Sequence, residues 1–191
     1  MSKIGVFGGA FNPPHKGHVR LAREFADRLS LDEVLVIPSF IPPHKSAGSL
    51  APAEDRLEMC RLAFCGDKRF TVSAMEIDRG GKSYTYDTLL AIKKQNPSAE
   101  LFLIIGSDMY SSFKTWHRYK SILKLCTVCT ASREKGAAPQ NSGIAAVISD
   151  LPAYEISSTQ IRDMVDNGAD ISEFTGESVA EYISDRGLYH D

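Results

Sequence analysis

Residues Lys3–His18 read KIGVFGGAFNPPHKGH, and this stretch decides the fold. Lys3–Gly8 is an apolar run without polar alternation, as expected of a strand covered on both faces. Gly8 and Gly9 lack a Cβ, so the chain can turn sharply there and let a ligand approach the backbone. Pro13 and Pro14 stiffen the loop that follows. From Gly17 to Leu29 the apolar residues Val19, Leu21, Ala22, Phe25 and Leu29 fall near one face, which predicts an amphipathic helix. The free N–H groups and dipole at its start favour an anion. His15 and His18, expected to be exposed, make that helix start a donor-rich pocket for phosphate oxygens. The stretch is neither G-x-G-x-x-G nor a P-loop, and it lacks the glutamate of H-E-x-x-H. A metal-binding histidine pair or a purely structural loop are the plainer alternatives.

Working outward, strands are expected at Lys3–Gly8, Glu33–Pro38, Phe70–Ala74, Glu100–Ile105, Leu125–Thr130 and Ala145–Ser149. Helices are expected at Gly17–Leu29, Ala53–Cys65, Tyr86–Gln95, brokenly over Asp108–Lys124, then at Ser158–Asn167 and Val179–Asp185. Apolar strands alternating with helices predict an α/β fold, a doubly wound parallel sheet with a C-terminal helical tail. Residues 1–191 are read as one domain, the tail beginning near residue 150. Ligands of such folds bind at the carboxyl ends of the strands. Ser39–Pro52 and Ser132–Gly143 read as long surface loops. Two capping boxes are expected, Ser157–Gln160 with Ile156 and Ile161 as a staple, and Ser178–Glu181.

The 191 residues hold 22 Lys plus Arg against 24 Asp plus Glu, a formal charge of -2 that offers no general field for a nucleic-acid backbone. No apolar run suits a membrane span, and the polar, Gly/Pro-rich start does not read as a signal peptide, so a cytoplasmic protein is expected. Cys126 and Cys129 form a lone C-x-x-C. Within a strand, residues three apart point to opposite faces, so these thiols should diverge as structural, reduced cysteines, like Cys60 and Cys65.

A second anion signal lies at Ile156–Arg162, ISSTQIR. Ser157 can cap the helix, Ser158 and Thr159 add hydroxyls and N–H groups, and Arg162 can reach back with a planar fork. Alone this is an ordinary capped helix. Beside the first loop it is a second grip on a triphosphate.

The segment HKGH within GGAFNPPHKGH resembles the H-x-G-H signature of the nucleotidyltransferase superfamily, and ISSTQIR resembles its ISSTxxR signature. With PSFIPPHK (Pro38–Lys45), SYTYDTL (Ser83–Leu89), IGSDMYSSFKTWHRY (Ile105–Tyr119) and YISDRGLY (Tyr182–Tyr189), the chain resembles the bacterial nicotinate-nucleotide adenylyltransferases from Lys3 to Tyr189. Gly106-Ser107-Asp108 stands where the family commonly has Gly-Ala-Asp. Arg133-Glu134-Lys135-Gly136 stands where it often has an Arg-Pro-Gly turn.

The resemblance implies a Rossmann-like nucleotidyltransferase that joins ATP to nicotinate mononucleotide, with Mg²⁺ bound through the ATP phosphates and no metal held by the chain. It implies no nucleic-acid or membrane partner. His15, His18 and Arg162 would be catalytic. Gly8, Gly9, Phe11, Gly106, Arg133, Ser157, Ser158 and Thr159 would hold ATP. His44, Lys45, Thr85, Tyr86, Asp108 and Trp116 would hold the mononucleotide, with Thr85 capping the helix whose N–H groups meet the nicotinate carboxylate. The chemistry suits these residues, because a phosphate monoester is already anionic and needs positioned donors more than a base. The competing readings are another H-x-G-H enzyme, such as a phosphopantetheine adenylyltransferase or a cytidylyltransferase, and a non-catalytic nucleotide-binding regulator. The presence of both histidines and Arg162 speaks against the regulator.

Overall fold

In the computed structural model, residues 1–43, 50–131, 143–151, 154 and 156–190 are described. Six strands pair in parallel: β1 (Lys3–Gly9), β2 (Glu33–Pro38), β3 (Phe70–Val72), β4 (Glu100–Ile105), β5 (Thr127–Ala131) and β6 (Ala146–Ser149). Their spatial order is β3-β2-β1-β4-β5-β6. The order reverses between β1 and β4, and a crevice forms outside the carboxyl ends of strands at such a switch point. The loops after β1 and β4 therefore flank the natural ligand position.

The strands are apolar on both sides because both faces are covered. On one face Val34, Val36, Phe102, Ile104 and Cys129 pack with Ala22, Phe25 and Ala26 of α1 (Lys16–Arg28) and Cys60 and Phe64 of α2 (Ala53–Phe64). On the other, Ile4, Val6, Leu101, Leu103 and Val128 pack with Leu89 and Ile92 of α4 (Thr85–Gln95) and Ile122 of α6 (Tyr119–Ile122). Cys126 packs with this second cluster while Cys129 belongs to the first, so the two thiols diverge. All four cysteines are free. Burial pushes the Cys126 and Cys129 thiols up to about 12.

The tail carries α7 (Ser158–Asp166), α8 (Ser172–Thr175) and α9 (Glu177–Asp185), whose Ile161, Val165, Val179 and Ile183 pack against Met59 of α2. The capping box at Ser157 is formed: Gln160 N–H donates to Ser157 Oγ at 3.3 Å and Ser157 N–H to Gln160 Oε1 at 2.9 Å. Ile156 and Ile161 meet in the same apolar cluster. The box expected at Ser178–Glu181 is absent, because α9 begins two residues earlier, after Gly176, and Ser178 is already helical. Two short helices have no periodic signal in the sequence, α3 (Met75–Arg79) and α8. The broken stretch resolves into α5 (Ser107–Ser111), a 3₁₀ turn at Phe113–Thr115, and α6.

Candidate active site

The chain does not turn at Gly8 and Gly9, which both lie within β1. It turns at Phe11, a non-glycine residue at φ 45°, whose ring is buried between Phe7 and Phe64 at centroid distances of 5.3 and 6.3 Å. Packing of that ring offsets the cost of a left-handed backbone. Phe11 thus aims the loop rather than lying open to a ligand.

Several carbonyls of this loop are taken by protein donors. Gly9 O accepts from Ser39 N–H at 2.8 Å, and His15 O from His18 N–H at 2.8 Å. Asn12 O accepts from Arg162 Nη1 at 2.8 Å and Pro13 O from Ser158 Oγ at 2.9 Å. The two anion signals, 145 residues apart between Pro13 and Ser158, are therefore one assembly. Arg162 Nη2 also donates to Thr159 Oγ1 at 3.2 Å. Tyr189 from the chain's end donates to Asn12 Oδ1 at 2.9 Å, and Ala51 N–H donates to the same oxygen at 2.9 Å.

His15 is the N-cap of α1 and is buried, and His18 in the first turn is half-buried, so neither matches the expected exposure. Their rings lie 3.7 Å apart, with Phe11 edge-on to His18 at 5.2 Å. Burial lowers the His15 imidazole to about 4. Burial first, and the His15 charge second, hold His18 well below its usual value. Both are neutral near pH 7 before an anion arrives. His15 N–H donates to His18 Nδ1 at 3.1 Å, which places the His18 proton on Nε2 as a donor. His15 Nδ1 is buried without a hydrogen-bond partner. Gly17 is required sterically: a Cβ there would lie 2.8 Å from Tyr154 Cβ and 2.9 Å from His15 Nδ1. Tyr154 stacks parallel to His15 at 6.4 Å.

Across the switch point, Gly106 is the N-cap of α5, and a Cβ on it would lie 2.6 Å from Asp108 Oδ1. Asp108 is exposed in the first turn of α5, past the cap. Thr85 does not cap α4: Tyr84 is the N-cap, Thr85 is the first helical residue, and no side chain caps this end. The first-turn N–H groups of α4 are thus left to other acceptors. Around that start Tyr84 meets His117 at 4.6 Å, Arg118 lies 5.0 Å over the Tyr86 ring, and Trp116 packs on Phe113 at 5.0 Å. Trp116 Nε1 is buried with no partner among the described residues, a donor available to an acceptor in this corner. His44, Lys45 and Arg133 lie outside the described residues.

Arg56 escaped the sequence reading. It is 1% exposed on α2. It donates to Ala10 O at 2.9 Å, Ser39 O at 2.6 Å, Phe40 O at 3.1 Å and Ala51 O at 3.0 Å. The signal was present: Ala53, Arg56, Leu57, Cys60 and Phe64 make one helical stripe with a cation inside it.

Residues 6–164 match the cytidylyltransferase-like family. A protein of Geobacillus thermodenitrificans, named probable nicotinate-nucleotide adenylyltransferase, is 39% identical over 189 residues, covering 99% of this chain and 87% of its own. The crystal structure of a candidate nicotinate-nucleotide adenylyltransferase from Vibrio parahaemolyticus is similar with a TM-score of 0.75 at 26% identity, over 100% of this chain and 97% of that one. Plasmodium falciparum nicotinic acid mononucleotide adenylyltransferase, complexed with APC, shares the fold with a TM-score of 0.80 at 17% identity, over 99% and 98% of the two chains.

Proposed function

Because the chain belongs to the nicotinate-nucleotide adenylyltransferase family, we infer that the crevice at the switch point is its adenylyl-transfer site. The enzyme transfers the adenylyl group of ATP to nicotinate mononucleotide, forming nicotinate adenine dinucleotide and pyrophosphate, in NAD biosynthesis. A 5′-phosphate oxygen of the mononucleotide bonds to the α-phosphorus. The bond from that phosphorus to the α–β bridging oxygen breaks, and pyrophosphate carries the electrons away. No proton need be removed from the nucleophile, so the work is alignment and charge stabilisation.

The observation that carries the assignment of residues is the docking of Arg162 and Ser158 onto the carbonyls of Asn12 and Pro13. It sets two helix starts, α1 and α7, at one loop. In our reading His18 Nε2–H and the first turn of α1 meet the reacting phosphates. Thr159, Arg162 and the first turn of α7 meet the leaving pyrophosphate. His15 supports His18 from beside it. The nicotinate ring lies at the α4 start, its carboxylate toward the first-turn N–H groups and the free Trp116 Nε1. ATP lies across β1 and β4.

Magnesium enters, in this reading, bound to ATP. The donors here are imidazole, guanidinium, hydroxyl and N–H groups, which suit phosphate oxygens rather than a cation. Among the described residues no group of three or more His, Cys, Asp or Glu could hold a metal. The ion would offset phosphate charge, and the chain would contact it through the nucleotide. Among the described residues no helix is long and apolar enough to cross a membrane. We place the enzyme in the cytoplasm, where four free thiols persist.

A pyrophosphate-release assay with ATP and either nicotinate mononucleotide or phosphopantetheine tests the reading. Release with the mononucleotide alone is expected. Release with phosphopantetheine alone, or with neither, defeats it.

A further inference from the structure

Among the described residues, Arg56 is the largest side chain that the fold buries completely. A buried guanidinium costs several kcal/mol unless its donors are satisfied, and an apolar side chain would fill the same space without that cost. Among the described residues, the hydrogen bonds made by Arg56 go to main-chain carbonyls. Ala10 O lies in the loop after β1, Ser39 O and Phe40 O directly follow β2, and Ala51 O precedes α2. The path continues: Phe40 N–H donates to Ser83 Oγ at 2.9 Å, and Ser83 N–H donates to Ile41 O at 2.9 Å. Two residues beyond Ser83, α4 begins. One guanidinium therefore ties the phosphate loop after β1 to the start of α4.

We propose that Arg56 is a positioning residue that fixes the distance between the adenylyl side and the pyridine-nucleotide side of the site. It touches no reacting atom, and the proposal rests on the adenylyl-transfer reading above. Its rigid planar fork matches four carbonyls held in fixed directions. A lysine ammonium concentrates its three donors on one nitrogen and cannot span them. Attack on the α-phosphorus needs reacting atoms near van der Waals contact, and a displacement of about 1 Å can cost about 10²-fold.

The test compares Arg56→Lys, Arg56→Ala and Ser83→Ala with the wild type, by steady-state kinetics in each substrate. Guanidinium chloride is added at low millimolar concentration against equal sodium chloride. In both Arg56 variants kcat should fall about 10- to 100-fold and the KM for nicotinate mononucleotide should rise, with the KM for ATP within about threefold. Guanidinium should restore about tenfold in Arg56→Ala and nothing in the wild type. Ser83→Ala breaks the next link without disturbing the buried charge and should raise the mononucleotide KM alone. A folded Arg56→Lys with wild-type kinetics overturns the proposal. So does an equal loss toward both substrates without guanidinium rescue. Should neither Arg56 variant fold, an unchanged mononucleotide KM in Ser83→Ala overturns it. An inactive wild type would instead defeat the adenylyl-transfer reading.

Discussion

The buried histidine pair predicts an acid-sensitive fold whose sensitivity can be reduced by a known amount at one residue. His15 is 8% exposed, and burial lowers its imidazole from 6.5 to about 4. The unfolded chain takes up a proton near pH 6.5, which the folded chain refuses until near pH 4. Stability is therefore full above pH 6.5 and is lost as pH falls toward 4. At about 1.4 kcal/mol per pKa unit, His15 accounts for roughly 2 kcal/mol of that loss at pH 5 and roughly 3 kcal/mol once both states are protonated. His18 shifts in the same direction and adds to the slope. His15→Gln keeps a neutral polar group in place and removes the titration. Urea unfolding at pH 8 and pH 5 measures the difference. Between these pH values the wild type should lose about 2 kcal/mol more than His15→Gln. Equal losses in the two proteins would mean that His15 titrates normally, and the neutral, donor-only account of the pair would fall with it.

His18→Ala should fold and lose about 10²–10³ in kcat, the usual cost of one transition-state donor, measured by pyrophosphate release. Arg162→Ala should weaken ATP binding with little change in mononucleotide affinity; because Arg162 also holds Asn12 O, kcat should fall as well, and titration of each ligand separates the effects. The enzyme should favour nicotinate over nicotinamide mononucleotide by at least about 10² in kcat/KM, since N–H donors at the α4 start would meet the amide NH₂ donor to donor. Tyr189→Phe should cost about 1 kcal/mol in urea unfolding through the lost bond to Asn12 Oδ1.

The sheet was legible because a parallel strand covered on both faces must be apolar along its buried length, as Leu101–Ile105 and Val34–Pro38 are. Cys126 and Cys129 divide between the two clusters as expected, although Cys126 lies just before β5, its N–H bonded to Ile122 O at the end of α6. The two anion signals were legible as motifs, but their contact was not. Nothing local in ISSTQIR says that Arg162 will meet Asn12. Thr85 was misread as a cap because threonine favours that place, whereas the Tyr84 backbone takes it here. The turn was assigned to Gly8 and Gly9 on conformational freedom, yet Phe11 makes it, held by aromatic packing that only the tertiary fold supplies. Arg56 and the contact of Tyr189 were not legible, because the carbonyls and the Asn12 amide oxygen they serve come from distant parts of the chain.

A loop that is to hold phosphates faces a problem of sign. Each of its peptides carries a donor that attracts an anion and an acceptor that repels it. Here the acceptors of Gly9, Ala10, Asn12, Pro13 and His15 are engaged by Ser39 N–H, Arg56, Arg162, Ser158 and His18 N–H. Two of these donors are cations, so they also bring positive charge behind the loop. These five carbonyl ends are thus neutralised from the protein side before any ligand binds. That is electrostatic preorganisation: the reorganisation cost is met in folding rather than during the reaction. It also accounts for histidines held neutral. A charged imidazole would attract anions everywhere along its approach, whereas a neutral Nε2–H contributes its bond only where the phosphate is correctly seated. The cationic attraction comes instead from Arg162, which its hydrogen bond to Asn12 O holds fixed.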